Sequence, residues 1–292
     1  MTTSGSRGRY LDRLGARIVA TRSVLCVGID IEPGALPAGF PPTLEGVAAF
    51  SRLVLEAAAP HAAAVKVNVA FLERWGSAGA RELERLRALV PSDLPFIADA
   101  KRGDIGSTAT QYAHALFDSL DADAVTVSPY LGGEAIAPLL DRPDRFAYVL
   151  CRTSNPGAGE LQSLEVPEDP DLFAPAEPLA HRVARLAVRW TRHPGTVGLV
   201  VGATAPEELA AIRAIVPGLP FLVPGIGAQG GDLAGALAHG PAVGRPGTAA
   251  AAGALLVNVS RGISGVATGA TDPGAAVAEA AQTWAARLRV LG

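Results

Sequence analysis

Short apolar runs and amphipathic stretches alternate along this chain. The short runs, rich in Val, Leu, Ile and Ala, are typical of strands buried on both faces, whereas apolar residues at helical spacing predict helices. An N-terminal helix is predicted over residues 10–20. The strands are predicted at 24–29, 63–69, 95–100, 123–127, 146–151, 197–201, 220–224 and 254–259, and the helices that follow them at 44–59, 76–90, 107–120, 132–141, 178–193, 206–216, 231–239 and 273–290.

Eight consecutive strand–helix units in a chain of 292 residues predict an α/β fold, a single-domain (β/α)8 or TIM barrel. An open doubly wound sheet is the alternative. We expect residues 1–9 to form a flexible tail and residues 10–292 to form the barrel.

Two segments depart from the repeat. Residues 154–178, rich in Pro, Gly and acidic residues, are expected to form a lid or insertion, and residues 240–253 a loose connection.

Composition and charge narrow the classes of function. The net charge is −3, so the chain lacks the basic surplus of a general nucleic-acid binder. Its apolar runs are shorter than a membrane-spanning helix requires, and residues 1–9 contain no apolar core of a secretory signal. These features predict a cytoplasmic protein that binds neither nucleic acid nor membrane.

Cysteine and histidine usage gives no sign of a metal site. Cys26 and Cys151 lie in predicted buried strands without a CxxC spacing, so both are predicted to be reduced core residues. The five histidines are scattered and form no HExxH pattern. We therefore expect no bound metal.

The chain's most unusual stretch, residues 95–108, is a buried strand that ends in charged residues. Asp99 and Lys101 lie two positions apart and so share one face of the strand, and Asp104 follows in a glycine-bounded turn. A solvated turn is the alternative. Because unpaired charges are costly to bury, the strand context favours charges that are paired or functional.

Polar residues end five other predicted strands. Since the carboxyl ends of barrel strands meet at one mouth, these side chains are expected to converge there. They are Asp30 after the first strand, Lys66 and Asn68 on the second, Arg152 to Asn155 after the fifth, Gly225 to Gly231 after the seventh and Asn258 to Arg261 at the eighth.

Lysines and aspartates alternate within this group. Lys66, Asp99 and Lys101 would line one side of the mouth with Asp104 just above, and the alternating signs would keep both lysines protonated and both aspartates ionised despite partial burial. Such a row suits a reaction in which negative charge leaves and a proton arrives at carbon. Lys101 would then be the acid, and Asp99 would lie against a substrate anion.

The seventh strand is followed by a Gly-x-Gly-x-x-Gly motif formed by Gly225, Gly227 and Gly230. A dinucleotide-binding motif would carry an acidic residue about 20 positions later, and the stretch after Pro246 has none. The motif therefore favours a phosphate cradle of the kind that barrels build after their last two strands.

Three polar side chains are candidates to complete this cradle. Gln229 can donate amide hydrogens, and Arg261 can hold a phosphate with two hydrogen bonds. Arg245 competes with Arg261 for this role, although it lies in the loose connection. For Arg261 the alternative is a surface salt bridge.

Together these motifs resemble the orotidine 5′-phosphate decarboxylase family, most closely its bacterial long-chain subgroup, called type 2. The resemblance covers the whole predicted barrel in order. It is carried by Asp99-Ala-Lys-Arg-Gly-Asp-Ile-Gly-Ser-Thr108, Cys26-Val-Gly-Ile-Asp30, Val65-Lys-Val-Asn68, Thr153-Ser-Asn-Pro-Gly157, Val223-Pro-Gly-Ile-Gly-Ala-Gln229 and Val259-Ser-Arg-Gly-Ile263.

The resemblance implies a cofactor-free conversion of orotidine 5′-phosphate (OMP) to UMP and carbon dioxide, in de novo pyrimidine biosynthesis. Lys66, Asp99, Lys101 and Asp104 would form the catalytic network, with Lys101 protonating the ring carbon. The family also implies a homodimer in which Asp104, Ile105 and Thr108 reach into the neighbouring site. The expected substrate-binding residues are Asp30, Lys66 and Thr108 around the ribose, Ser154 at the pyrimidine, and Gln229 and Arg261 with the Gly225 and Gly227 loop at the phosphate. Asn68 and Ile105 are expected to bind the substrate without an assigned part of it.

Two other functions remain open from the sequence. The first is a metal-dependent sugar-phosphate decarboxylase or aldolase on the same scaffold, which would need Mg²⁺ held by carboxylates. Lys66 stands where such an enzyme would need an acid, which disfavours it. The second is a barrel without activity that binds a nucleotide or a partner.

Overall fold

The computed structural model describes residues 8–191, 193, 196–204, 206–227, 230–243 and 252–290. The strands are β1 (Leu25–Ile29), β2 (Ala64–Asn68), β3 (Phe96–Arg102), β4 (Ala124–Val127), β5 (Phe146–Arg152), β6 (Glu165–Val166), β7 (Glu177–Pro178), β8 (Val197–Val201), β9 (Phe221–Val223) and β10 (Leu256–Val259). Eight of them close a parallel barrel in the order β1-β10-β9-β8-β5-β4-β3-β2, and β6 and β7 pair separately.

Most of the α-helices follow a barrel strand and cover the outside of the barrel. The α-helices are α1 (Tyr10–Thr21), α2 (Leu44–Ala58), α3 (Ala70–Glu73), α4 (Gly76–Leu89), α5 (Gly106–Ala113), α6 (Ala137–Leu140), α7 (Gly159–Gln162), α8 (Leu179–Trp190), α9 (Pro206–Ile215), α10 (Leu233–His239), α11 (Arg261–Ser264) and α12 (Pro273–Arg287). Of these, α1 precedes β1 and α7 lies in the insertion. Among the described residues, no helix is both long and apolar enough to cross a bilayer.

The barrel strands are buried on both faces, which explains their uninterrupted apolar sequences. Every residue of β1, β4, β8, β9 and β10 is buried, because one face fills the barrel and the other packs under helices. Cys26 and Cys151 are free and buried in this core, as predicted. Burial raises the pKa of the Cys26 thiol to about 12, so it stays protonated.

The predicted TIM barrel is confirmed, and each barrel strand lies within two residues of its predicted bounds. The helix predicted at 132–141 is wrong in extent, because only α6 is helical there. Gly132 has a φ of +94°, which no helix allows, and Pro138 favours the helix start where α6 begins. The helix predicted at 107–120 forms as α5 followed by a π-helical turn over His114–Ser119.

Residues 154–178 carry more local structure than their composition indicates. They contain α7 and the antiparallel β6–β7 pair. Glu177 of β7 is buried and accepts hydrogen bonds from Arg182 and Arg185 of α8, at 3.1 and 3.0 Å, so the insertion is anchored to the barrel wall. Its role as a lid stays a prediction. Most of the predicted tail and most of the loose connection lie outside the described residues.

Helix α1 closes the end of the barrel where the strands begin. The hydroxyl oxygens of Tyr10 in α1 and Tyr148 in β5 lie 3.0 Å apart. Arg13 pairs with Asp123, a buried carboxylate just before β4, which also accepts a hydrogen bond from the backbone of Phe96 at 2.8 Å. The open end of the barrel is therefore the one where the strands finish.

We expect an Asp123→Ala substitution to lower the free energy of unfolding by about 3 kcal/mol. It would leave the Arg13 guanidinium and the Phe96 backbone donor without their buried acceptor. Urea unfolding measures the change. Asp93→Ala is the matched control, since this exposed partner of Arg17 should contribute less than about 0.5 kcal/mol. Equal effects of the two substitutions would contradict the buried role of Asp123.

Candidate active site

A cavity of about 520 Å³ opens where the barrel strands finish. Its polar wall is formed by β1, β2, β3 and β10, and its apolar wall by β5, β8 and β9. The sequence-predicted residues that line it are Asp30, Lys66, Asp99, Lys101, Ser154, Gly225 and Arg261. Six separate strand ends therefore do converge on one pocket.

The carboxylate of Asp99 is shared by two lysines at the centre of the polar wall. Lys66 Nζ lies 2.6 Å from Asp99 Oδ2, and Lys101 Nζ lies 2.5 Å from Asp99 Oδ1. Lys66 and Asp99 are 4% and 9% exposed, whereas the Lys101 side chain is 47% exposed. One lysine is thus sealed in the barrel, and the other faces the cavity.

The row of opposite charges fixes the protonation states of its buried members. Burial alone would raise the pKa of Asp99, but Lys66 and Lys101 outweigh it and hold that pKa well below its usual range. Burial alone would lower the pKa of Lys66, but Asp30 and Asp99 outweigh it and keep that pKa above its usual value. At neutral pH the wall presents a carboxylate fixed against an ammonium group.

Lys101, which lines the cavity, lies in a bulge of β3. The register of β3 with β4 passes from the pair Ala98–Val125 directly to the pair Arg102–Val127, so β3 carries extra residues between them. Lys101 lies in this bulge with a φ of +50°, a left-handed conformation uncommon for residues other than glycine. Such conformations cost roughly 1–3 kcal/mol and are found most often at functional sites.

A chain of hydrogen bonds orients Asp30 at the edge of the polar wall. Asn258 Nδ2 donates to Ser260 Oγ at 3.2 Å, and Ser260 Oγ donates to Asp30 Oδ2 at 2.7 Å. The other oxygen, Asp30 Oδ1, lies 3.8 Å from Lys66 Nζ and has no hydrogen-bond partner among the described residues. Gly28 makes this possible, because a Cβ there would lie 1.9 Å from Ser260 Oγ.

Ser154, Gly225 and Arg261 lie on the remaining rim of the cavity. Gly225 has a φ of +100°, a conformation that glycine adopts without strain. Because glycine has no side chain, its backbone borders the pocket directly. Arg261 begins the short helix α11. Gly227 is next to this rim but faces Trp284 rather than the cavity. Gln229 and Arg245 lie outside the described residues.

Besides Gly227, four predicted site residues lie away from the lining of this cavity. Asn68 Oδ1 accepts a hydrogen bond from the backbone of Ala70 at 3.3 Å and so caps the turn after β2. Asp104, Ile105 and Thr108 follow β3 on its turn into α5, and the last two are exposed. Asp104 Oδ1 accepts a hydrogen bond from the backbone of Ile105 at 2.7 Å.

The cavity also contains polar residues to which the sequence analysis gave no role in binding or catalysis. They are Thr126, Thr153, Asn155, Gln162, Asn258 and Ser260. Gln162, from the insertion, donates to Thr153 Oγ1 at 2.8 Å and accepts from the Thr153 backbone at 2.9 Å, so part of the insertion lines the pocket. Position at strand ends already predicts Thr153, Asn155, Asn258 and Ser260 at this mouth, whereas nothing in the sequence pattern indicated Gln162. Thr126 lies within a strand where threonine is an ordinary residue.

Carboxylates near the cavity are paired with lysines rather than with one another. Within the described residues, no three His, Cys, Asp or Glu side chains come together as metal ligands would. The expectation of a metal-free and cofactor-free site stays a prediction.

Comparison with known proteins places this barrel in a family. The model of the orotidine 5′-phosphate decarboxylase / HUMPS family matches residues 23–280. Over 280 residues the chain is 44% identical to the orotidine 5′-phosphate decarboxylase of Thermomicrobium roseum, covering 96% of this chain and 93% of that protein. It is 49% identical over 255 residues to the one of Halorubrum lacusprofundi, covering 87% of each.

A solved structure agrees with these relatives. The chain matches the OMP decarboxylase of Leishmania donovani with a TM-score of 0.76 and 38% identity, covering 96% of this chain and 98% of that one. The resemblance inferred from the motifs is thereby confirmed, while the long-chain bacterial subgroup stays a prediction. Since both the family match and the relatives span most of its length, the chain belongs to the orotidine 5′-phosphate decarboxylase / HUMPS family.

Proposed function

We propose that this chain converts OMP to UMP and carbon dioxide, as a carboxy-lyase of pyrimidine biosynthesis. The observation that carries this proposal is the Asp99 carboxylate held between two ammonium groups at the mouth of the barrel. The names of the relatives support the same substrate. OMP and UMP are therefore the small-molecule partners of the site.

The charged wall suits loss of carbon dioxide followed by protonation of carbon. When the bond to the carboxylate breaks, its electron pair stays on the ring carbon and carbon dioxide leaves. The ammonium groups of Lys66 and Lys101 stabilise the negative charge that develops there. The Lys101 ammonium then gives a proton to this carbon, and the lysine regains a proton from solvent, to which it is exposed.

The rest of the cavity can hold the nucleotide in place. Asp30 Oδ1 and Lys66 face the space in which ribose hydroxyls would bind. Ser154 on the opposite rim would contact the pyrimidine edge. Arg261 would bind the phosphate together with the Gly225 loop and Gln229. Binding free energy from the phosphate can then position the ring and close the insertion over it.

We expect the reaction to need neither metal nor organic cofactor. Fixed ammonium groups can stabilise a carbanion in place of an electron sink, provided that water is largely excluded. The competing function, a Mg²⁺-dependent sugar-phosphate enzyme, would need a carboxylate where β2 presents Lys66. We also expect a cytoplasmic location, since both cysteines are free and buried.

The turn after β3 supports a homodimer as the working unit. Ile105 is 61% exposed, and Tyr130 and Leu131 on the neighbouring loop are 78% and 49% exposed. The two loops are joined by a hydrogen bond from the backbone of Asp104 to that of Ala135, at 3.2 Å. Such an exposed apolar group beside the cavity mouth is suited to contact with a second copy of the chain.

In this dimer, Asp104 and Thr108 would enter the partner's cavity. Both lie on the surface that carries Ile105, and neither lines the cavity of its own chain. Asp104 would add a fourth charge to the row formed by Lys66, Asp99 and Lys101.

The direct test of function is turnover of OMP by the purified protein in excess EDTA. We expect full activity, measured as UMP and carbon dioxide formed, because no step is assigned to a metal. Loss of turnover on chelation, restored by Mg²⁺, would favour the sugar-phosphate enzyme instead. Absence of turnover with and without added Mg²⁺ would favour a barrel that only binds nucleotides.

We expect Lys101→Ala to lower kcat on OMP by about 10⁴-fold or more while UMP still binds. The substitution removes both the proton donor and one of the stabilising charges. Calorimetry measures UMP binding, and a coupled assay measures turnover. Arg102→Ala is the control, because this neighbouring cation pairs with Glu73 and does not line the cavity. Unchanged turnover in Lys101→Ala would refute the acid role.

We expect mixed dimers of Lys101→Ala and Asp104→Ala chains to recover roughly half of the wild-type activity. If Asp104 acts across the interface, each heterodimer has one site with both residues intact. Tagged heterodimers purified by two affinity steps make the measurement. Dimers of Lys66→Ala with Lys101→Ala should stay inactive, since both residues serve their own site. No recovery in the first mixture would place Asp104 in the site of its own chain.

A further inference from the structure

We infer that Thr126 is a positioning residue for Lys101, the proton donor of the proposed function. Thr126 lies in β4, is 1% exposed and borders the cavity. Its single hydroxyl contacts both the backbone of Lys101 and the carboxylate that holds the Lys101 ammonium. The inference rests on the proposed function, since it assigns Thr126 a part in the same reaction.

The hydroxyl of Thr126 is used as both acceptor and donor. The backbone N–H of Lys101 donates to Thr126 Oγ1 at 2.9 Å. Thr126 Oγ1 in turn donates to Asp99 Oδ1, also at 2.9 Å. Because the hydroxyl has one hydrogen, these two bonds assign its orientation fully.

The first bond supports a strained piece of backbone. Lys101 has a φ of +50°. It lies between Ala98 and Arg102, the two residues of β3 whose pairing with β4 brackets the bulge. The Thr126 hydroxyl gives the Lys101 N–H an acceptor on β4 within this bulge. A conformation that costs roughly 1–3 kcal/mol persists only where its surroundings enforce it.

The second bond completes a closed circuit of contacts. The circuit runs from the Lys101 backbone to the Thr126 hydroxyl, from there to Asp99 Oδ1, and from Asp99 Oδ1 back to Lys101 Nζ at 2.5 Å. Both ends of the lysine are thereby fixed relative to one carboxylate oxygen. Proton transfer is sensitive to such placement, since an error of about 1 Å can cost 100-fold in rate.

A purely structural role would give a different result. A buried threonine can simply satisfy its hydroxyl in the core, as Thr196 does by donating to the backbone oxygen of His193 at 2.8 Å. Loss of that kind of bond lowers stability and leaves the chemistry intact. The change in kcat when the hydroxyl is removed therefore distinguishes the two roles, and the change in the free energy of unfolding does not.

The test compares Thr126→Val, Thr126→Ser and Thr196→Val with wild type on OMP. Valine has the shape of threonine without the hydroxyl, and serine keeps the hydroxyl. We expect Thr126→Val to lower kcat by about 10- to 100-fold, with KM and the Kd for UMP within about twofold of wild type. Thr126→Ser should keep kcat within about threefold, and Thr196→Val should not change it. Turnover by wild type under the same conditions tests the proposed function separately.

A double-mutant cycle tests whether Thr126 acts through Lys101. In a Lys101→Ala background we expect Thr126→Val to cause no further loss of the residual turnover, because the group it positions is gone. Three results would overturn the inference. Thr126→Val could lower kcat by the same factor in both backgrounds, Thr126→Ser could lose as much kcat as Thr126→Val, or Thr126→Val could change only KM. Should the valine variant fail to fold, Thr126→Ala replaces it in the same two comparisons.

Discussion

The site depends on one constraint: the carboxylate of Asp99 is nearly buried and must stay ionised. Two ammonium groups satisfy it, one on each oxygen, with Thr126 as an additional donor. Removing Asp99 would leave the buried Lys66 ammonium without its close counter-charge, which is far more costly than losing an exposed salt bridge. The lysines and the aspartate therefore form one unit, and the geometry of each side chain fixes that of the others.

The barrel supplies the frame that this charged unit requires. Parallel strands place all their carboxyl ends at one mouth, so Asp30, Lys66 and Asp99 meet although they are far apart in sequence. Helix α1 and the Tyr10–Tyr148 contact fill the opposite end. The bulge in β3 is a local departure from the regular barrel, and it contains Lys101, the lysine that lines the cavity.

The sequence predicted the structure correctly where a single physical rule determines the residue pattern. Strands buried on both faces must be apolar throughout, so all the barrel strands were predictable, and charges at their ends indicated Asp30, Lys66, Asp99 and Lys101. The bulge and Thr126 were not predictable, because φ at Lys101 and the reach of a hydroxyl depend on tertiary packing. The short α6 shows the same limit, since only Ala137–Leu140 of the segment with helical spacing, 132–141, is helical.

The unequal burial of the two lysines indicates a division of tasks between them. Lys66 is sealed between Asp30 and Asp99, which raise its pKa, so it stays protonated and cannot act as a nucleophile toward a carbonyl. Its charge is a fixed part of the wall. Lys101 shares the same carboxylate but is open to the cavity, so in the proposed reaction it is the lysine that would give up a proton and regain one from water. Under the proposed function, a single aspartate can therefore serve two lysines because only one of them would change its protonation state.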